Sequence, residues 1–146
     1  GRRPALVRGG GRGGVATGAG GGRAPGVRAW PARPLSRVAP SASLVGHHAG
    51  LGTSLTPIRA GKPCVAIPAI FDQWYNAARI RALGVGRVLE WKRLTVDRLA
   101  AEINLVGGSP RYPANARALG QAMAAEDGAA AACAHIEALL GRQAKT

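Results

Sequence analysis

Acidic side chains are missing from the first half of this 146-residue chain: none occurs before Asp72. Up to Phe71 there are ten Lys/Arg and no Asp/Glu, whereas the rest carries ten Lys/Arg against seven Asp/Glu. The net charge of +13 is therefore mostly a property of the N-terminal part, which argues against a nucleic-acid surface on the folded portion. Aromatic residues are scarce as well, and none precedes Trp30. "RGGGRGG" (8–14) thus lacks the stacking partners that arginine-glycine RNA-binding segments interleave, and no nucleic-acid partner is expected. No apolar run approaches the ~20 residues needed to span a bilayer. The start, "GRRPALVRGGGRGG", has charge but no apolar stretch of signal-peptide length. Only two cysteines are present, Cys64 and Cys133, in no metal-ligand spacing, so no metal site is expected. Both are expected to be reduced core thiols of a cytoplasmic protein.

What is abundant is glycine, unevenly spread: 11 of the 22 glycines lie in the first 26 residues. Residues 1–29 alternate Gly, Arg, Ala and Pro with almost no large apolar side chains. Such a segment buries too little surface to offset its ordering entropy, and the expectation is disorder. Residues 30–146 form the second unit. The chain begins with Gly rather than Met and reads as an incomplete domain.

From Trp30 onward the hydrophobic pattern is regular. "SLVGHH" (43–48), "CVAIP" (64–68) and "VGRVLEW" (85–91) are short apolar runs of the kind that form buried parallel strands. Between the first two, Thr53 or Ser54 is positioned to cap a short helix ending at Gly61, with Pro57 expected in its first turn. "DQWYNAARIRALG" (72–84) has apolar residues near helical spacing, with Gly84 as its stop. Thr95 caps "VDRLAAEINLV", with Asp97 in the first turn, and two Ala/Leu-rich helices follow at about 113–126 and 128–140. Strands alternating with helices, and no internal repeat, predict an open α/β parallel sheet with flanking helices.

In such sheets ligands bind at the carboxyl ends of the strands, and "GHHAGLGTSLT" (46–56) lies there, between a strand and a helix start. A helix N-terminus offers unpaired N–H groups and the positive end of the dipole, a combination suited to phosphate. Gly50 and Gly52 let the backbone approach an anion. The Thr53 and Ser54 hydroxyls and the His48 imidazole add hydrogen-bond donors, while His47 reads as structural. The turn is neither a P-loop nor a G-x-G-x-x-G fingerprint, and a plain strand-to-helix turn with surface histidines is the competing reading. Asp72 and Gln73 read either as an ordinary helix start or as ligand contacts. Trp74 and Tyr75 read as core or as ligand-side lining, and His135 as a core or surface residue.

"HHAGLGTSLTPIRAGKPCVAIPAIFDQWYNAARIRALGVG" resembles the donor-binding motif of the UDP-glycosyltransferase superfamily. The bacterial and fungal branch of macrolide, rhamnosyl and sterol glycosyltransferases is the most similar. That family shows H-H-G-G-x-G-T, R-A-G-x-P, a strand ending in Pro, D-Q-x-x-N-A and L-G-V-G in this order. The resemblance covers about residues 35–140. It implies a partial Rossmann-like C-terminal domain of the two-domain GT-B fold. It also implies a nucleoside diphosphate sugar (UDP- or dTDP-sugar) as donor, with no other cofactor, and a small-molecule or lipid-like hydroxyl compound as acceptor. By position, His48, Gly50, Gly52, Thr53 and Ser54 would hold the diphosphate, and Asp72 and Gln73 the donor sugar. Trp30, eighteen residues before His48, would stack on the nucleobase. Two positions depart from the family pattern. Ala49 replaces a Gly or Cys, a change expected to be harmless. Thr56 stands where many members have an acidic residue that binds the ribose. The family's catalytic His belongs to its N-terminal domain, so no catalytic residue is expected in this chain.

Two function classes follow. One is the donor-binding domain of an inverting hexosyltransferase. The other is a truncated, non-catalytic nucleotide-binding remnant.

Overall fold

The computed structural model describes residues 34–143 together with the two-residue strand β1 (Leu6–Val7). Trp30 and the rest of the Gly/Arg-rich segment, where disorder and the nucleobase contact were expected, lie outside the described residues. Leu6 and Val7 depart from that expectation: adjacent large apolar residues in this stretch, they pair in parallel with Val45 and Gly46.

The remaining strands are β2 (Val45–His47), β3 (Cys64–Ala66) and β4 (Gly86–Val88). All pairings are parallel and the sheet order is β1-β2-β3-β4. Each strand is shorter than its apolar run, because only three residues of each run pair with neighbours on this small sheet. Helix α1 (Leu35–Val38) precedes β2, α2 (Leu51–Arg59) joins β2 to β3, and α3 (Gln73–Ala82) joins β3 to β4. Three helices follow, α4 (Val96–Gly108), α5 (Arg111–Ala124) and α6 (Gly128–Gln143). α2 and α3 end at Gly61 and Gly84, both with left-handed backbone (φ 66° and 63°), the conformation that makes glycine the residue of choice there. Thr95 caps α4 as expected, its hydroxyl accepting from the Arg98 N–H at 3.3 Å.

The sheet is covered on both faces, which is why its strands read as continuous apolar runs rather than alternating ones. Cys64 and Ala66 of β3 pack with Ile58 of α2, Ala77 and Ile80 of α3 and Ala116 of α5. On the opposite face, Leu44 and Val65 meet Val106, Leu99 and Ile103 of α4. The register places His47 beside Ala66, so side-chain alternation turns His47 toward the α2 face.

Helix α2 differs from expectation at its start. Gly50 takes an extended backbone (φ −63°, ψ 148°) and occupies the N-cap position, so the helix begins two residues before Thr53. Thr53 and Ser54 are inside its first turn, and neither caps it. Pro57 becomes the seventh helical residue, where its ring removes one hydrogen bond, the one to the Thr53 carbonyl. Cys133 is a further correction. It is an exposed thiol on α6, whose residues 128–141 are all exposed, Ile136, Leu139 and Leu140 included. Alanine-rich spacing specifies a helix, but it does not supply a surface to bury it. His135 shares that exposure.

Candidate donor site at the carboxyl end of the sheet

β2 and β3 are neighbours, and the chain leaves both at the same edge of a parallel sheet. The turn after β2 (48–50) and the loop after β3 (67–72) therefore lie side by side. A direct contact joins them: Asn76 Nδ2 of α3 donates to the Ala49 carbonyl at 2.9 Å.

At the first turn of α2, Ser54 N–H closes the first intrahelical bond on the Gly50 carbonyl at 2.9 Å. The N–H groups of Leu51, Gly52 and Thr53 precede that bond and belong to the set that a helix leaves without backbone acceptors. The His48 ring lies over this helix mouth. A Cβ placed on Gly50 would fall 2.5 Å from His48 Nε2, so the imidazole is packed against the bare Cα of Gly50. Three backbone donors, the positive end of a nine-residue helix and an imidazole nitrogen thus converge on one small area. Gly52 has no neighbour within 4 Å of its would-be Cβ, so that flank is open.

Ser54 does not join this set. It is buried against the sheet, and Ser54 Oγ has no hydrogen-bond partner among the described residues. Thr53 stays half-buried in the first turn. The Thr56 hydroxyl donates back to the Gly52 carbonyl at 2.8 Å, so its proton is committed to the helix.

His47 is almost fully buried, and its Nδ1 accepts from the Ala49 N–H at 3.1 Å. Burial, followed by the neighbouring His48, holds its pKa down to about 4, so the ring is neutral at physiological pH. An accepting Nδ1 puts the proton on Nε2, which has no partner among the described residues. Ala49, directly after the two histidines, has a left-handed backbone (φ 63°), so relative to Gly the alanine is not the harmless exchange expected: an L-residue carries roughly 1–2 kcal/mol of strain in that region.

In the loop after β3, Gln73 Oε1 accepts from the N–H groups of Ala69 (2.9 Å) and Ile70 (3.2 Å), which ties the loop to the start of α3. Its side-chain NH2 points away from those bonds. Asp72 has no cap bond to α3; its Oδ2 accepts from Asn76 at 2.9 Å, leaving Oδ1 for another donor. Ile70, Phe71, Trp74 and Tyr75 are all exposed around Asp72, so Trp74 and Tyr75 are not core residues.

Asn76 is the residue that sequence reasoning passed over. Its partner Asp72 is one helical turn away, but Ala49 is 27 positions away, a relation that no local pattern carries. Cys64 is buried, and burial pushes its thiol up to about 12, far from the range of a reactive thiolate. A separate groove of about 420 Å³ lies between α3 and α4 at β4 and is lined by Arg81, Glu90, Arg93 and Arg98 among others. It contains none of the turn residues. Glu102, which also lines the groove, pairs with Arg87, and that hydrogen bond raises the Arg87 pKa. Among the described residues there is no cluster of His, Cys, Asp and Glu that could hold a metal, and no helix long and apolar enough to cross a membrane.

The parallel α/β sheet with its flanking helices is the fold of the C-terminal domain of GT-B glycosyltransferases. Residues 21–139 match the family described as erythromycin biosynthesis protein CIII-like, C-terminal domain, and the chain belongs to that family. It is 37% identical over 108 residues to the O-mycaminosyltylonolide 6-deoxyallosyltransferase of Streptomyces fradiae, covering 73% of this chain and 26% of that enzyme. It is 40% identical over 86 residues to the sterol 3-beta-glucosyltransferase of Aspergillus terreus, covering 59% of this chain and 6% of that one. Among solved structures, the glycosyltransferase VinC in complex with dTDP superposes with a TM-score of 0.68 and 32% identity, covering 72% of this chain and 27% of VinC. The chain thus spans about a quarter of the length of the bacterial relatives it matches.

Proposed function

We propose that this chain binds a nucleoside diphosphate sugar, as the donor-binding part of a hexosyltransferase that acts on a hydroxyl acceptor. The observation that carries this reading is His48 Nε2 lying against Gly50 at the mouth of α2. In this arrangement the diphosphate takes the N–H groups of Leu51, Gly52 and Thr53 and the His48 imidazole. The sugar hydroxyls take Asp72 Oδ1 and the Gln73 NH2. The dTDP in the VinC structure supports a nucleoside diphosphate, UDP or dTDP, as the leaving group. Exposed Ile70, Phe71 and Tyr75 beside Asp72 support an apolar alcohol as acceptor.

The chemistry follows from where charge develops. As the acceptor oxygen attacks C1 of the sugar, with inversion, the C1–O bond breaks and negative charge grows on the diphosphate. Fixed donors at α2 are already aimed at that charge, so they stabilise the transition state without reorganising. No other cofactor or metal is invoked, since the helix mouth and His48 supply the compensating charge. The acceptor's proton needs a base within about 3 Å, and His47 does not provide it: its ring is buried, its one acceptor nitrogen already takes the Ala49 N–H, and burial makes it a weak base. On the family resemblance the base belongs to an N-terminal, acceptor-binding domain, and the 146-residue chain alone is expected to bind donor without transferring sugar. The free cysteines support a cytoplasmic location.

Calorimetric titration of the chain with dTDP and UDP, in wild type and His48→Ala, tests the reading. The variant should bind roughly 10- to 100-fold more weakly with an unchanged melting temperature, the loss expected for a hydrogen bond to a charged group. Absence of binding by the wild type, or equal affinity of the two, would favour the non-catalytic remnant.

A further inference from the structure

We propose that Asn76 is a positioning residue of the donor site: with His47 it clamps the backbone of Ala49 and couples the diphosphate turn to the sugar-binding carboxylate Asp72. This rests on the donor-site reading above and deepens it.

The clamp centres on Ala49. It is fully buried and left-handed (φ 63°), a backbone conformation that a residue with a Cβ rarely adopts unless its surroundings impose it. Both polar groups of the residue are held by side chains. Its N–H donates to His47 Nδ1 at 3.1 Å and its carbonyl accepts from Asn76 Nδ2 at 2.9 Å. His47 comes from β2 and Asn76 from α3, so two different elements grip one residue from opposite sides. The next two positions in the turn are Gly50, against which the His48 ring packs, and Leu51, the first open N–H of α2. Fixing Ala49 therefore fixes the entry angle of α2 and the place of His48.

Asn76 does a second thing. Its NH2 also donates to Asp72 Oδ2 at 2.9 Å, so both of its protons are committed, one to each half of the site. The amide cannot be flipped without setting its oxygen against a carbonyl and a carboxylate, both acceptors. One planar amide thereby sets the spacing between the group that binds phosphate and the group that binds the sugar. Neither His47 nor Asn76 is placed to touch the donor; each acts through the residue it holds. His47 can do this only as the neutral ring with its proton on Nε2, and its burial maintains that form.

The test uses the 146-residue chain with four probes: dTDP, UDP, dTDP-glucose and UDP-glucose. Asn76→Leu should weaken both nucleoside diphosphates by roughly tenfold and both sugar nucleotides further. Asp72→Ala should weaken only the sugar nucleotides. In the Asp72→Ala background, Asn76→Leu should cost no more for a sugar nucleotide than for its bare diphosphate, the non-additivity of a shared network. His47→Asn, whose Oδ1 stands in for Nδ1 as acceptor, should bind within about threefold of wild type, whereas His47→Phe should lose roughly tenfold. A merely structural histidine would not be rescued by asparagine in this way. Wild-type affinity for all four probes in Asn76→Leu, or full additivity with Asp72→Ala, would overturn the proposal. Amide exchange at Ala49 gives a readout that needs no ligand. It should be slow in the wild type and in His47→Asn, and fast in His47→Phe and Asn76→Leu. Should the wild type bind none of the four probes, the donor-site reading falls, and equal exchange in all four proteins would overturn the clamp as well.

Discussion

Gly50→Ala isolates the part of the site on which the functional reading depends. The backbone at Gly50 (φ −63°, ψ 148°) is one that alanine adopts freely, so the new methyl brings no conformational strain. It does meet His48: 2.5 Å from Nε2, 3.3 Å from Cδ2 and 3.4 Å from Cε1. Non-bonded carbon and nitrogen settle at about 3.5 Å, so the ring tip must retreat by roughly 1 Å. The imidazole is the free end of a half-exposed side chain, and it can move at a rotamer cost of about 0.5–1.5 kcal/mol. Loss of Gly in the unfolded chain returns about 0.4–1 kcal/mol, so stability should change by less than about 1 kcal/mol. Binding should change far more. A phosphate contact near 2.9 Å stretched by an ångström is no longer a hydrogen bond, and one to a charged group is worth about 1.5–3 kcal/mol. Affinity for dTDP or UDP should fall roughly 10- to 100-fold, read by calorimetry, while thermal unfolding stays near wild type. The same change made in His48→Ala should cost little, because the ring it displaces is gone. Unaltered affinity in Gly50→Ala, or an equal loss in the His48→Ala background, would refute the mechanism through the ring.

Stability should depend on pH through His47. The folded state holds its pKa near 4 against about 6.5 when unfolded, so between these values the unfolded chain binds the extra proton. The contribution is complete above pH 6.5 and is lost as pH falls toward 4; denaturant unfolding should show about 2 kcal/mol less stability at pH 5 than at pH 8. The step should vanish in His47→Asn, and its persistence there would assign it to other groups. Gly120→Ala in α5 should destabilise by about 1–2 kcal/mol, since its Cβ would stand 2.6 Å from the Ile58 carbonyl and 3.3 Å from Arg59 O and Gly61 N, all backbone. An unchanged denaturant midpoint would mean that α5 does not pack this closely on α2. Thr56→Glu should raise affinity for UDP by roughly fivefold, about 1 kcal/mol, by supplying the ribose acceptor that a helix-bonded threonine lacks; equal affinity would separate position 56 from the ribose.

Much of this site could be read in the sequence, and what could not has a physical reason in each case. The sheet and its helices followed from apolar periodicity, because a sheet covered on both faces leaves unbroken apolar runs in its strands. The strand-to-helix turn at 46–56 followed because its glycines lie between an apolar run and a helix start, where backbone N–H groups can face a ligand. The helix start was misplaced because Thr53 and Ser54 are good capping residues, and sequence alone does not show that Gly50 is extended and takes that position instead. Once α2 begins at Leu51, Ser54 falls in register with Pro57 and Ile58 on the buried face, a placement that the misplaced helix start hid. His47 was legible in part: the parity of β2 sets it on the same face as Val45, toward α2, and against histidine's surface habit. Cys133 failed for the opposite reason. Periodicity marks which residues share a helix face, but burial of that face depends on what packs against it, and the apolar residues of α6 remain exposed. Asn76 was within a local rule only in part. Asp72 is one turn away at the start of the same helix, but Ala49 lies on another segment, and the place of Asn76 in D-Q-x-x-N-A announces only that an amide recurs there. The site is thus readable where chemistry is local to the chain and hidden where one side chain joins two loops, which is why the coupling through Asn76 needed the fold.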